Sequence, residues 1–445
     1  MKQLKLYIML SSLILLVISI SCALKPETIK KRPTLQSYQQ VQLCRNCHER
    51  AYKQFKVSMH SKSYLNPVFK AMYFKDIVPR AEKDPAMEEV AMHCMACHNP
   101  IAYMTCDEAI HTEKDFSDHY ENGTCDFCHT INGIKGNKPG NGNYISEPGP
   151  KKFGPHRTDS NWHHIYSPLQ SSSAFCGTCH NGNNRMGVMT KTTYSEWRKS
   201  IYAKRNITCQ DCHMSSIGFL SKNAPVFEKG KAAGGSSIIN PPDRAELHTH
   251  SFPGSYSTQQ LSGAVKLQMK LNKKNALPGE DVEVKVKVDS RRAGHKLPTG
   301  CTNLRLLWLE LSVSGSDKSF IVKAEPLKPD SGGFDVVGMG KWDAEIIGDS
   351  IEPGNRVYRQ VFMDKEGNET MSTVDATEIA FDNRLDAAST RIERYTFKAP
   401  NTKDNYIITA KLVYLAYPKS LTRRLGVPDA VPLEVATTSL DLSVK

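Results

Sequence analysis

From Val265 onward the chain alternates apolar and polar residues. Val265, Leu267, Met269 and Leu271 are separated by Lys266, Gln268 and Lys270, and Val282, Val284, Val286 and Val288 by Glu283, Lys285 and Lys287. Leu307, Leu309, Leu311 and Val313 repeat the pattern, as do Tyr395 with Phe397 and Ala410 with Leu412 and Tyr414. A period of two puts successive side chains on opposite faces of a strand, so these runs predict half-buried strands. Pro278-Gly279 and Pro353-Gly354 supply turns between them. About seven to nine strands are expected over residues 258–445, which favours an immunoglobulin-like sandwich.

The N-terminal half is patterned differently. Lys2 and Lys5 precede an apolar run from Leu6 to Ile20 that is short for a membrane span and reads as an export signal, residues 1–22. Ser19-Ile20-Ser21-Cys22 resembles a lipobox, with Ser19 where Leu is usual. Lipid attachment at Cys22 and plain cleavage near Ala23 both stay open. Residues 23–40 are polar, contain Lys30-Lys31-Arg32-Pro33, and read as a linker. Residues 41–257 show no sustained strand period, although Glu49 to His60 reads as a helix. At 445 residues the chain is long enough for two domains or more. The expected class is α+β multidomain: a mainly helical and irregular domain over 41–257, then an all-β domain over 258–445.

Cysteine usage supplies the chemistry. Of thirteen cysteines, ten fall into five pairs, each followed by histidine: Cys44-Cys47-His48, Cys94-Cys97-His98, Cys125-Cys128-His129, Cys176-Cys179-His180 and Cys209-Cys212-His213. Cys-x-x-Cys-His is the pattern of c-type haem attachment. Two thiols at this spacing reach the two vinyl groups of one porphyrin, and the adjacent imidazole meets the iron from one face. Five covalently attached haem c groups are therefore expected, making 41–257 a pentahaem domain. Zinc and disulfide readings suit a single pair, but fivefold repetition of one pentapeptide argues against both. Cys106 and Cys301 lie outside the pattern, and a disulfide between them stays open.

An iron that only transfers electrons takes a second axial ligand, whereas one that binds a small substrate keeps an open face. Fifteen histidines less the five of the motifs leave ten, enough to close every site. His60, at the end of the predicted helix, would lie about 18 Å from His48 if the helix were continuous, so it should serve a neighbouring motif. His163 is preferred over the adjacent His164. His248 and His250 precede a turn forced by Pro253-Gly254, and His295 sits in a loop restrained by Gly294, Pro298 and Gly300. The alternative for each is a surface or hydrogen-bonded histidine, the reading kept for His93, His111, His119 and His156.

The formal charge of +12 would ordinarily point to acidic partners or nucleic acid. Five haems bring about ten propionate charges, which nearly cancels the excess, and no nucleic-acid motif is present.

Several stretches resemble the multihaem cytochromes related to the tetrahaem electron carrier of hydroxylamine-oxidising nitrifiers. They are Ser58-Met59-His60, Cys97-His98-Asn99-Pro100, Gly123-Thr124-Cys125-Asp126-Phe127-Cys128-His129, Gly154-Pro155-His156, and Tyr194-Ser195-Glu196-Trp197 leading to Cys209-Gln210-Asp211-Cys212-His213-Met214. The resemblance covers about residues 41–257 and implies haem binding, export and a distal-ligand role for His60. Gly294-His295-Lys296-Leu297-Pro298-Thr299-Gly300 is similar to a C-terminal stretch of such proteins and implies the same for His295. Five motifs instead of four leave the tetrahaem ligand scheme without a one-to-one transfer.

The expected function is electron relay between unidentified redox proteins outside the cytoplasm, in the periplasm or at the outer membrane, and the chain reads as a carrier before a catalyst. No Ser-His-Asp order, phosphate loop or carboxylate pair stands out. Two alternatives stay open: catalysis on a small nitrogen or sulfur compound at a five-coordinate haem, though no Cys-x-x-Cys-Lys occurs, and self-assembly into a conducting haem filament.

Overall fold

The strands of the C-terminal half form where the alternation places them. In a computed structural model, which describes residues 32–445 except 121–123, 158–163, 235–240, 317, 328–332 and 341–342, they include β1 (Lys266–Leu271), β2 (Asn275–Ala276), β3 (Asp281–Asp289), β4 (Leu306–Ser314), β5 (Ser319–Ile321), β6 (Arg356–Tyr358), β7 (Thr390–Lys398), β8 (Asp404–Leu415) and β9 (Leu433–Val444). The signal, the Cys22 lipobox and His163 lie outside the described residues. Antiparallel β1, β3 and β7 make one sheet. A second sheet runs β2-β9-β8-β4-β5, with β6 also on β4.

The two sheets share one core. Val282, Val284, Val286 and Val288 of β3 are fully buried and cluster with Leu309, Leu311 and Val313 of β4 and Ile408, Ala410 and Leu412 of β8. Glu283 and Lys285 on the other face of β3 are exposed. Burying a Val or Leu side chain contributes about 1.5–3 kcal/mol, so this interdigitated set is the main stabilising term of the C-terminal half.

Strands beyond the predicted runs were hidden by composition. Arg356-Val357-Tyr358 and the strand Gln360–Met363 are buried almost throughout and show no alternation. Arg356 in the first and Arg359 between the two are both buried, although arginine seldom enters a core unless paired. Arg356 pairs with Asp335 and, at 3.1 Å, with Glu393, and Arg359 pairs with Asp343 at 3.1 Å and Glu369 at 2.8 Å. These ion pairs let a cationic segment run through the interior.

In the helical half, α1 is Glu49–Val57 and α2 is Pro85–His98. Helix α2 starts on Asp84, whose carboxylate accepts from the Ala86 amide at 2.9 Å, and has proline in its first turn. It buries Met87, Ala91, Met95 and Ala96 beside stacked Tyr64 and Phe116, 4.6 Å apart. The helical half also enters the β core, since Val68 and Ala71 belong to the same cluster as the strand valines. Arg80 holds Asp375 at 2.6 Å, and the Lys75 ammonium donates to the Leu425 carbonyl at 2.6 Å. Thr34–Lys445 accordingly form one compact unit. No helix among the described residues is long and apolar enough to cross a membrane.

The buried ion pairs give a contrast in stability. Arg356→Ala strands Asp335 and Glu393 in the interior and should cost about 3–5 kcal/mol. Lys398→Ala breaks an exposed pair with Asp281 and should cost less than about 1 kcal/mol. Urea unfolding followed by circular dichroism measures both, and equal losses would contradict the account of the Arg356 network.

Candidate functional site

Each Cys-x-x-Cys-His occupies or borders a short helical turn. In the first motif the Cys47 and His48 amides donate to the Cys44 carbonyl at 3.3 and 2.8 Å, and in the fourth the Cys179 and His180 amides donate to Cys176 at 3.2 and 2.9 Å. A turn of this kind brings residues three apart to one side, so both thiols face the same way and the imidazole follows. The second motif is the end of α2, and the third lies in α3 (Thr124–Thr130). The fourth begins in α4 (Ser173–Gly177), capped by Ser172. After α5 (Thr193–Lys199) and α6 (Ile201–Lys204), the fifth motif fills α7 (Cys209–His213). Thr208 and Asp211 form a reciprocal capping box on α7.

The motifs lie against one another. The thiols of Cys44 and Cys125 lie side by side, as do those of Cys97 and Cys179 and those of Cys176 and Cys209. Cys128 is also within electrostatic reach of Cys176. First, third, fourth and fifth motifs therefore form a series, and the second joins it at the fourth.

Imidazoles from elsewhere in the chain face three of the motif imidazoles. Ring centroids are 6.1 Å apart for His60 and His180, 6.3 Å for His129 and His250, and 6.1 Å for His213 and His295. Two metal–nitrogen bonds of about 2 Å, with half a ring on either side, require about this separation. Backbone carbonyls orient the motif rings: Nδ1 of His48 lies 3.1 Å from Ala232 O, that of His98 3.1 Å from Ser63 O, and that of His129 2.8 Å from Phe153 O. A carbonyl only accepts, so Nδ1 carries the proton and Nε2 is left as the metal ligand. Burial pushes His60, His180 and His213 down to about 4 and His250 to about 3, holding them in the neutral form that ligates. A closed zinc site needs four converging ligands, and among the described residues no group of three or more His, Cys, Asp or Glu converges. Paired imidazoles beside paired thiols suit a haem.

The predicted helix to His60 is shorter than expected. Helix α1 ends at Val57 because buried Ser58 is extended (φ −70°, ψ 158°), and its hydroxyl accepts from the Ser61 amide at 3.0 Å. His60 restarts in a 3-10 turn facing His180. The Pro253-Gly254 turn closes on this segment: Gly254 has φ +68°, and a Cβ there would lie 2.6 Å from Met59 Cγ. Phe252 packs its ring 4.4 Å from that of His60. His248 is not brought opposite a motif imidazole among the described residues. Its ring lies 4.7 Å from Phe227, in a cleft of about 390 Å³ shared with His156 and Arg244. His164 directs Nε2 at the His156 carbonyl, 2.5 Å away, and His111 pairs with Glu88 at 2.8 Å. Cys106 and Cys301 are not joined in a disulfide.

Sequence reasoning missed Glu196, which appeared only as a landmark of the resemblance. From α5 it accepts from Arg384 at 2.7 Å, from the Thr192 hydroxyl at 2.6 Å and from the Lys296 amide at 3.1 Å. Arg384 in turn donates to the Pro298 carbonyl, the Thr193 and Thr299 hydroxyls meet at 2.7 Å, and Leu297 and Leu385 exchange backbone hydrogen bonds. The loop carrying His295 is thus tied to the helical half on one side and to the β half on the other.

These features define a class of site, thiol pairs and neutral imidazoles arranged for c-type haem. Residues 43–130, which hold the first three motifs, match the model of the family described as cytochrome c554 and c-prime. Over 92% of this chain and 100% of its own, a penta-heme cytochrome c552 from Thermochromatium tepidum has a similar fold, at 19% identity and TM-score 0.61. The sporulation control protein Spo0M of Bacillus subtilis overlaps 41% of this chain and 50% of its own at 14% identity, with a TM-score of 0.16. The family match and the shared fold support a multihaem c-type cytochrome with covalently bound haem c.

The Glu196 tie yields a measurable outcome. Charge-assisted hydrogen bonds contribute about 1.5–3 kcal/mol, so Glu196→Ala should speed hydrogen exchange at the Lys296 amide by about tenfold or more. Glu196→Gln, which keeps an acceptor, should recover part of the protection. Unchanged exchange in the alanine variant would show that the loop is held without it.

Proposed function

We propose that the chain is an exported pentahaem electron relay. Five haem c groups would be held by Cys44 and Cys47, Cys94 and Cys97, Cys125 and Cys128, Cys176 and Cys179, and Cys209 and Cys212, with His48, His98, His129, His180 and His213 as proximal ligands. His250, His60 and His295 would be distal ligands at the third, fourth and fifth sites. When bound, haem iron supplies one-electron redox chemistry, at lower potential with two imidazoles than with an imidazole and a thioether. The chain's part is to hold neutral imidazoles in register, exclude water by burial, and keep successive sites in contact.

The observation that carries this reading is the set of three imidazole pairs at 6.1 to 6.3 Å. The 266–444 strands are read as an immunoglobulin-like sandwich whose sheets face each other across one core, with His295 lent from its β3–β4 connection. Relation to the tetrahaem carriers of nitrifiers rests on the shared stretches named above. The apolar leader and Cys22 support passage across the inner membrane and tethering by lipid.

A second reading, reaction of a small nitrogen or sulfur compound at one five-coordinate iron, is favoured by the second site. Among the described residues no imidazole faces His98, whose ring is stacked on Phe69 at 3.7 Å. Electron paramagnetic resonance separates the readings, since a high-spin ferric signal in the oxidised wild type marks an open iron.

Two outcomes test the proposal. Intact mass should show five haems that survive acid-acetone extraction, and four or fewer after full maturation would refute the count. His295→Ala should convert one low-spin haem to high spin, whereas an unchanged spectrum would remove His295 from the ligand set.

A further inference from the structure

We propose that the surface formed by α5, α6 and the Arg291–Arg292 segment docks an acidic redox protein at the fifth site; this rests on the relay reading for the nature of the partner. The surface is small and strongly cationic. Arg198, Lys199, Lys204, Arg205, Arg291 and Arg292 are all exposed. Ile201, an exposed apolar side chain at 41% accessibility, lies between Lys199 and Lys204 in the chain. An apolar centre inside a charged rim is the usual make-up of a transient protein interface.

The helical and loop parts belong to one surface. Tyr202, buried next to Ile201, donates its hydroxyl to the Arg291 carbonyl at 2.5 Å, and Gly294 packs against Trp197 and Tyr202. Tyr202 also lies within electrostatic reach of Arg205, Arg292 and the Cys212 thiol. The surface adjoins the fifth motif, since Trp197 of α5 donates to the Ile207 carbonyl at 2.9 Å, two residues before Cys209, and that motif ends the series of thiol contacts.

The cations are not used by the fold. Among the described residues, Arg198, Lys199, Lys204, Arg205 and Arg292 form no ion pair and no side-chain hydrogen bond, and Arg292 only overlies the Phe219 ring at 6.0 Å. The neighbouring acids are already engaged. Glu196 is held by Arg384 at 2.7 Å, Asp289 by Arg291 at 2.5 Å, and Asp211 by the Thr208 amide at 2.7 Å. Five uncompensated cations within a short stretch repel one another, and a partner with carboxylates in the facing positions removes that repulsion. Charge complementarity of this kind raises association rates and falls away with salt.

Oxidised plant-type ferredoxin, an acidic redox protein, serves as the probe, with affinity for the haem-loaded chain read by calorimetry so that no electron transfer is needed. At low salt the wild type should bind, and the affinity should fall steeply as salt rises. Lys204→Glu with Arg205→Glu should weaken binding at low salt about tenfold or more and flatten the salt dependence, while Lys285→Glu on the outer face of β3 leaves both unchanged. Equal affinity for wild type and the double variant overturns the docking surface. So does unchanged affinity with a shifted midpoint potential, because the cations would then serve the haem propionates. If ferredoxin binds as expected yet its reduced form transfers no electron to the chain, the surface stands and the relay reading fails.

Discussion

Three of the five sites depend on a spacing of about 6 Å between two imidazole rings. A motif supplies one ring next to its own thiols. The facing ring comes from a distant point: His60 for His180, His250 for His129, and His295 for His213. Neither ring of a pair is placed by local structure alone. The chain between them has to fold so that two short segments arrive with a gap sized for a metal.

Three devices hold the outlying rings in place. His60 is released from helix α1 by extended Ser58 and covered by the Phe252 turn. His250 lies two residues before Phe252 on the same arm of that turn, so one short segment serves two sites. His295 depends on the β half, where Glu196, Arg384 and the Leu297–Leu385 bridge fix its loop between a helix and a strand connection. The core of valines and leucines shared by the two sheets gives that loop a base. Its buried Arg356 and Arg359 networks extend the base through a segment that is cationic but has no solvent contact.

The contacts among thiols give the sites an order, from the first through the third and fourth to the fifth, with the second as a branch at the fourth. The end of that order lies beside a group of exposed cations on α5 and α6. Part of the basic composition is concentrated at α5 and α6, where Arg198, Lys199, Lys204 and Arg205 are exposed.

Much of this was legible in the residues themselves. The pentapeptide fixes which thiols and which proximal imidazoles belong together, because its chemistry is confined to five consecutive residues. Period-two alternation locates β1, β3, β4, β7 and β8, because along most of their length one face is more buried than the other, although β4 starts and β8 ends buried on both faces. The turn at Pro253-Gly254 is likewise a local property. The strand at Arg356–Tyr358 escapes such reading, since burial on all sides erases alternation and its charges are answered by acids distant in sequence. Whether His248 or His250 turns toward a motif, and where His60 points after its helix breaks, depends on packing against Phe227, Met59 and Phe252. The role of Glu196 is decided the same way, by Arg384 and Lys296 arriving from strands and loops far along the chain. Covalent chemistry is written locally and therefore read from sequence; a gap between two rings is a distance across the fold, and only the tertiary structure sets it.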